Sequence, residues 1–383
     1  MTGLGLQIGL QMGSQGGGGV SAPPIYNSSA LASYRTARSN RASAPCNIAI
    51  PGASWEQGNN VYTYGSRWVD LLALNLRTAF PVSGNSVGGS TLWPACYPPS
   101  GTFGGSTAWT SVIVSGGTLA GQGLSANVIL ATAASGYRYT FTGTSFGFCY
   151  LAGAGVPSGI ASVVIDGGVP TMINNQTLSG SQVWASGALS AGSHTIDVTF
   201  VSGTDFRYIG FLYYNGDEGK GMRTLNGGYG GADSTNSGVF GSYFNDGFMK
   251  SVSAALCIVD LINNDFSRNL DPATYKTNMI ARVADARYSA GSSTIPVLLM
   301  ATNYPGDLGA RTYTYAQYVA KLKEIADADA YVAVLDLAAY IPPCAYTPAT
   351  PRDAIGFWDT DYNHPTTYGH QLLASLVGSA LGT

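Results

Sequence analysis

Charge is what this chain has least of. Only 10% of its 383 residues are Asp, Glu, Lys or Arg, and the net charge is −3. That leaves no basic field to hold phosphates and argues against a nucleic-acid partner. Histidine is scarcer still, at three residues in the whole sequence. The five cysteines (Cys46, Cys96, Cys149, Cys257, Cys344) show no Cys-x-x-Cys spacing, so they build no metal site. An odd number of them cannot all pair. Cys257, inside an apolar run, reads as a buried thiol, and a disulfide among the others stays open. Neither a metal nor a cofactor is expected. No apolar stretch approaches membrane-spanning length, so no membrane partner is expected either. The first ten residues lack the basic start and long apolar core of a signal peptide. An extracellular location would need another route.

What is present is glycine (51 residues), tyrosine (24), and serine and threonine throughout. Such a surface is polar through hydroxyls and amides, a texture common in secreted, cell-surface and virion proteins that meet carbohydrate. The length allows one large core or, more readily, two. Residues 1–45 are Gly/Ser/Ala-rich, with Gly16 to Gly19 in a row and Pro23-Pro24 following. A flexible linker or an attachment segment is expected there.

Order is expected to begin near Cys46. Asn47 to Ile50 reads as a short buried strand, followed by a glycine-bounded turn carrying Ser54. A helix starts near Ser66, with Trp68, Leu71, Leu72 and Leu76 on one face. Strand, turn and helix in this order lift a side chain onto the rim of a parallel sheet. From about Thr91 to Tyr214 the texture changes. Residues 101–200 contain only Arg138, Asp166 and Asp197 among Asp, Glu, Lys and Arg, and short alternating runs are separated by Gly/Ser/Asp turns. This predicts an all-β sandwich or jelly roll. Afterwards strands at 256–261, 296–301 and 331–336 alternate with helices near 272–288 and 315–328, which predicts a doubly wound parallel sheet. The expected fold class is therefore α/β with an inserted all-β domain. Its parts are a segment 1–45, a first α/β part 46–95, the β insert 96–215 and a second α/β part 216–383.

Near the C-terminus, Asp361 stands three residues before His364 and Pro365. Leu372, Leu373, Leu376, Val377, Ala380 and Leu381 then recur at helical spacing, and Thr366 suits the N-cap. A carboxylate in reach of an imidazole makes a general base in want of a nucleophile. A helix-capping Asp beside a surface His is the plainer alternative.

Four segments at predicted strand ends, taken together, decide between these. Gly52-Ala-Ser54-Trp-Glu-Gln-Gly58, Asn226-Gly-Gly-Tyr-Gly-Gly231, Asn263-Asn264-Asp265 and Asp361-Tyr-Asn-His364-Pro form an ordered set that resembles the four blocks of the SGNH (GDSL-like) hydrolases. The resemblance covers about 46–90 and 220–383. It implies Ser54 as nucleophile, His364 as base and Asp361 as its orienting carboxylate. It also implies an oxyanion hole made of the Ser54 and Gly231 N–H groups and the Asn264 amide. Ala53 departs from the family, which has an aspartate beside the nucleophile. That puts local hydrogen bonding in doubt and leaves room for a catalytically silent relative.

Other features compete for these roles. Gly143-Thr-Ser145-Phe-Gly147 fits a nucleophile elbow, but an alternating β run surrounds it and no helix follows. His194 is expected at a strand edge and His370 on the C-terminal helix. Asp359 lies five residues from His364 and fits the family less well than Asp361. Trp55, Trp358 and Tyr362 flank the expected site and could stack on a sugar, or simply pack in the core.

The insert looks like a carbohydrate-binding β-sandwich, and relatives with an added β domain commonly act on O-acetyl groups of polysaccharides. Together with the alternating Leu-Gly start, this resembles phage tail esterases that deacetylate bacterial surface polysaccharide. The resemblance thus implies an acetylesterase with an acetylated polysaccharide as partner and an extracellular or virion location. A tail-associated chain would assemble as a trimer. A silent glycan-binding adhesin and a lipase or thioesterase are the alternatives.

Overall fold

Cys46–Gly52 is buried at all seven positions, as a strand can be only when both of its faces are covered. This strand lies inside a six-stranded sheet in a computed structural model of the chain. The structure describes residues 22–58, 61, 65–82, 135–153, 156–178, 180–228, 230–235, 248–302, 311–341, 355–359, 361 and 363–382. For 93–94, 109–115, 118–120 and 127–130 it describes the backbone alone.

In chain order the first elements are β1 (Ile25–Tyr26), α1 (Ala32–Ser39), β2 (Cys46–Gly52), α2 (Ser54–Gln57) and α3 (Trp68–Ala79). Next come β3 (Trp93–Pro94), β4 (Trp109–Ser115), β5 (Thr118–Ala120), β6 (Asn127–Leu130), β7 (Gly136–Gly143) and β8 (Ser145–Ala152). They are followed by β9 (Gly159–Ile165), β10 (Thr171–Asn174), β11 (Gly180–Ala185), β12 (Gly192–Gly203) and β13 (Phe206–Tyr214). Then follow β14 (Met222–Gly228), α4 (Phe248–Ser251), β15 (Ala254–Val259), α5 (Ile262–Ser267) and α6 (Pro272–Ala290). The last are β16 (Val297–Ala301), α7 (Tyr315–Ala328), β17 (Val332–Asp336) and α8 (Thr367–Gly382).

The first sheet runs β1-β17-β16-β15-β2-β14, parallel except for β1 at its edge. From β2 the chain goes to β14 on one side, then returns to β15 on the other. Strand order therefore reverses at β2, which opens a crevice at the carboxyl ends of β2, β14 and β15. Alternation along β2 feeds two cores. Ile48 and Ile50 join Trp68, Leu72 and Leu373 on one face, and Ala49 joins Tyr275, Val283 and Leu322 on the other. Helix ends are set by local chemistry. Asp271 accepts the Thr274 N–H at 3.0 Å to start α6, and Thr366 Oγ1 accepts the Gly369 N–H at 3.1 Å to start α8.

The described strands from β4 to β13 form two antiparallel sheets, β10-β9-β12-β7-β4 and β11-β8-β13-β6-β5, with β3 also paired to β13. They share an aromatic core that includes Tyr137, Tyr139, Phe146, Phe148, Tyr208 and Phe211, with Tyr139 and Phe211 stacked 4.3 Å apart. Every residue of β8 is buried. Phe146 and Phe148 face that aromatic core, whereas Cys149 and Leu151 join the core beneath the parallel sheet. The two halves are thus continuous through β8 and β13.

One expectation is corrected here. Residues 1–21 of the expected linker lie outside the described residues, but from Ile25 the chain is part of the fold. Ile25 and Tyr26 pair with Leu335 and Val334, and Leu31 and Tyr34, three apart on a helical face, are buried against the sheet. Asn27 Nδ2 fastens this start by donating to the Val332 carbonyl at 2.8 Å.

Candidate active site

The Ser54 turn follows β2 directly, so the parallel register fixes where the hydroxyl stands. Gly52 bridges to Asp260 on one side, and Gly52 pairs with Gly228 on the other. A Cβ on Gly228 would fall 2.2 Å from the Gln57 nitrogen, so only glycine lets β14 come this close to α2. Two further bonds tie these segments. Asn226 Nδ2 donates to the Glu56 carbonyl at 2.6 Å, and Gln57 Oε1 accepts the Gly230 N–H at 2.8 Å. Ser54 is 6% exposed and lines a cavity of about 10 Å³ together with Ala53, Trp55, Glu56, Asp260, Asn264 and other residues.

Asp361 and His364 sit in the loop before α8, as their spacing predicted. Asp361 Oδ2 lies 2.5 Å from His364 Nδ1. Its other oxygen accepts the N–H groups of Asn363 and His364, each at 3.0 Å. One carboxylate therefore both folds the loop and orients the ring, which directs Nε2 away from Asp361. The loop meets the Ser54 turn through Trp55, whose Nε1 donates to the Asn363 carbonyl at 2.9 Å. Asp359 uses its backbone N–H instead, donating to the His364 carbonyl at 2.9 Å.

Asn264 lies in the first turn of α5, whereas the sequence suggested a turn at a strand end. Its Nδ2 donates to the Ala232 carbonyl at 2.6 Å, which ties α5 to the loop carrying Gly231. The adjacent Asp265 reinforces this tie by accepting both the N–H and the hydroxyl of Ser234, each at 2.8 Å. Gly231 has φ +80°, and a Cβ there would meet no atom within 4 Å. Glycine is needed at this position for its left-handed backbone rather than for space.

Of the two readings open for Trp55 and Trp358, core packing is the one their burial supports. They are 3% and 1% exposed and pack edge-to-face with ring centroids 5.3 Å apart. Their ring faces are spent on Phe357 and each other, so they are core residues. Tyr362 lies outside the described residues. Ser145 opens strand β8 and donates to Glu218 Oε1 at 2.7 Å, with no helix after it. Both ring nitrogens of His194 are engaged, by Asp166 and by the Ser190 carbonyl, at 2.7 Å each. His370 is fully buried, and its Nδ1 accepts the Trp68 N–H at 3.1 Å. Of the cysteines, Cys46, Cys149 and Cys257 are buried free thiols; Cys96 and Cys344 lie outside the described residues.

Sequence reasoning passed over Glu56 and Asp260. Both are buried beneath the Ser54 turn, at 1% and 3% exposure. Burial pushes Glu56 well above the usual carboxylate range, and the Asp260 charge adds to it. Asp260 is pushed up to about 7 by burial, against the Thr302 hydroxyl and the Ile262 N–H. A charged residue two positions from a candidate nucleophile was the available signal.

No family model matches the sequence, and no curated protein matches it. Among solved structures, a peptidoglycan O-acetylesterase is similar, with a TM-score of 0.60 at 14% identity, over 92% of this chain and 95% of that one. The two chains share a fold. A family two carbohydrate esterase from Cellvibrio japonicus also aligns, at 13% identity over 71% of this chain and 96% of its own, with a TM-score of 0.30. TesA aligns over 42% of this chain and 78% of its own at 20% identity, with a TM-score of 0.32. At those two scores neither likeness carries weight.

Proposed function

We propose that the chain is a serine esterase that removes O-acetyl groups from a polysaccharide through an acetyl-enzyme on Ser54. The observation that carries this reading is the joining of the Ser54 turn to the Asp361–His364 loop by the Trp55–Asn363 bond. Ser54 Oγ attacks the acetyl carbonyl as His364 Nε2 takes its proton. Asp361 holds the imidazole in the needed tautomer and stabilises the imidazolium. The oxyanion is met by the N–H groups of Ser54 and Gly231 and by the Asn264 N–H that does not serve Ala232. The sugar oxygen leaves with the proton from His364, and water then frees acetate by the same route. Ala53 removes an aspartate from beside the nucleophile without touching any of these groups.

The residues beside Ser54 leave little open space, which supports a short acyl group over the long acyl chains of a lipase or thioesterase. In the same reading, residues 96–215 are an inserted carbohydrate-binding β-sandwich within a discontinuous SGNH-type domain of residues 46–95 and 216–383. The protein works outside the cell or on a virion, where a trimeric phage tail would present it to bacterial surface glycan. Acetate release from a panel of O-acetylated bacterial polysaccharides, with p-nitrophenyl esters of increasing acyl length alongside, tests this. The expected result is acetate from at least one glycan and a rate that falls with acyl length. Glycan binding without acetate release would replace the esterase by an adhesin.

A further inference from the structure

Beneath the candidate nucleophile lies a second pair of acids that the reaction above does not use. Glu56 turns back under its own helix, and its Oε2 accepts the Ala53 N–H at 2.6 Å. Its side chain packs flat on Gly52, where a Cβ would come within 2.4 Å of the Glu56 Cγ. Gly52 bridges directly to Asp260, which brings the second acid alongside. Asp260 Oδ2 accepts the Thr302 hydroxyl at 3.0 Å, and Thr302 Oγ1 in turn accepts Asn263 Nδ2 at 2.7 Å. Of the remaining oxygens, Asp260 Oδ1 is buried without a hydrogen-bond partner, and the other Glu56 oxygen faces the Trp68 indole N–H.

Both acids line the cavity that Ser54 and Asn264 line, and no Arg, Lys or His lines it with them among the described residues. Two buried carboxylates without a cation cannot both ionise, whereas one proton between them satisfies an oxygen on each. We propose that Glu56 is a positioning residue for Ser54, holding the Ala53 N–H and sharing one proton with Asp260. Burial raises both acids, in agreement with this. The groups that face the pair leave the proton to it. Tyr275 of α6 and Tyr315 of α7 are held neutral, raised well above the usual phenol range by burial and then by nearby carboxyls. From α3 comes the neutral Trp68 indole, with His370 of α8 behind it on the Trp68 N–H. Arg67 of the same region is bound to Asp70 at 2.7 Å. Loss of the shared proton leaves two like charges in one buried site, and their repulsion moves Glu56 off its place against the Ala53 N–H.

The inference takes the nucleophile from the proposed function, so its test has one arm that needs no turnover. Glu56→Gln keeps an acceptor for Ala53 and supplies a permanent donor to Asp260, whereas Glu56→Ala supplies neither. In the activity arm, the wild type is expected to lose kcat at alkaline pH with KM unchanged, and Glu56→Gln to lack that fall. Glu56→Ala is expected to lose on the order of 10²-fold in kcat, the cost of a misplaced reacting group. An identical alkaline fall in wild type and Glu56→Gln would overturn the proposal. In the second arm, thermal unfolding is followed against pH. Glu56, raised by burial and by Asp260, binds its proton more tightly folded than unfolded, so wild type should lose stability relative to Glu56→Gln as pH rises above the ordinary carboxylate range. A difference that stays constant with pH would overturn the shared proton even if the chain proves to have no esterase activity.

Discussion

The indole N–H of Trp55 donates to the carbonyl of Asn363 across 308 positions of sequence, at 2.9 Å. It is a direct tie between the helix that starts with Ser54 and the loop that carries His364. Trp55→Phe keeps most of the ring packing against Phe357 and Trp358 but removes this donor and leaves a carbonyl unpaired. The expected loss is about 0.5–1.5 kcal/mol of stability, together with a fall in kcat under the proposed mechanism, in which this tie sets His364 relative to Ser54. Urea unfolding and steady-state kinetics on the same preparation check both. A stability loss with unchanged kcat would show that the tie only serves the fold.

Asn264 makes a separable prediction. Its amide donates to the Ala232 carbonyl, so Asn264→Ala should cost about 1 kcal/mol of stability. Turnover should fall by ~10²–10³, the cost of one missing oxyanion donor. A loss of turnover below tenfold would remove Asn264 from that role.

Asp265 gives a pH signature that does not depend on catalysis. Burial raises it to about 6, against the N–H and hydroxyl of Ser234. The folded chain therefore holds this proton at pH values where the unfolded chain has lost it, and stability falls as pH rises from about 4 through about 6. Asp265→Asn cannot ionise. Its stability relative to wild type should rise by on the order of 3 kcal/mol over that window, read from chemical unfolding at pH steps. A difference that does not vary with pH would contradict the raised acid.

The long strands, the helices and the Asp361–His364 spacing were legible because periodicity and local chemistry determine them. Thr366 caps α8 as its position suggested, and α7 occupies 315–328 as its pattern suggested. What escaped the sequence depends on partners far along the chain. Leu31 and Tyr34 looked like part of a glycine-rich linker because two apolar residues make a weak stripe, and it is the distant strands β17, β15 and β2 that give them a surface to cover. Trp55 and Trp358 read equally well as a sugar platform, since an aromatic residue beside a site carries no sign of which way it faces. Glu56 was hidden for a related reason. A carboxylate folded back onto the Ala53 N–H and a glycine has no period, and its partner Asp260 is two hundred positions away.

The continuous core under β8 and β13 predicts the outcome of removing residues 96–215. Because Trp93 and Pro94 pair antiparallel with Phe211 and Gly210, the two cut ends run past each other, and a linker spanning roughly 20 Å can close the gap. Deletion nevertheless strips Cys149, Leu151, Ile209 and Leu212 from the core they share with Leu225 and Met249. An exposed apolar face of that kind drives association. The deleted chain should aggregate or elute as oligomers in gel filtration; a soluble monomer would mean that the halves are energetically independent.

The most direct test compares p-nitrophenyl acetate hydrolysis by the wild type and by Ser54→Ala at equal concentration, with folding checked by circular dichroism. Ser54 as nucleophile predicts a loss on the order of 10³-fold or more in the folded variant. Equal rates for the two proteins would contradict it.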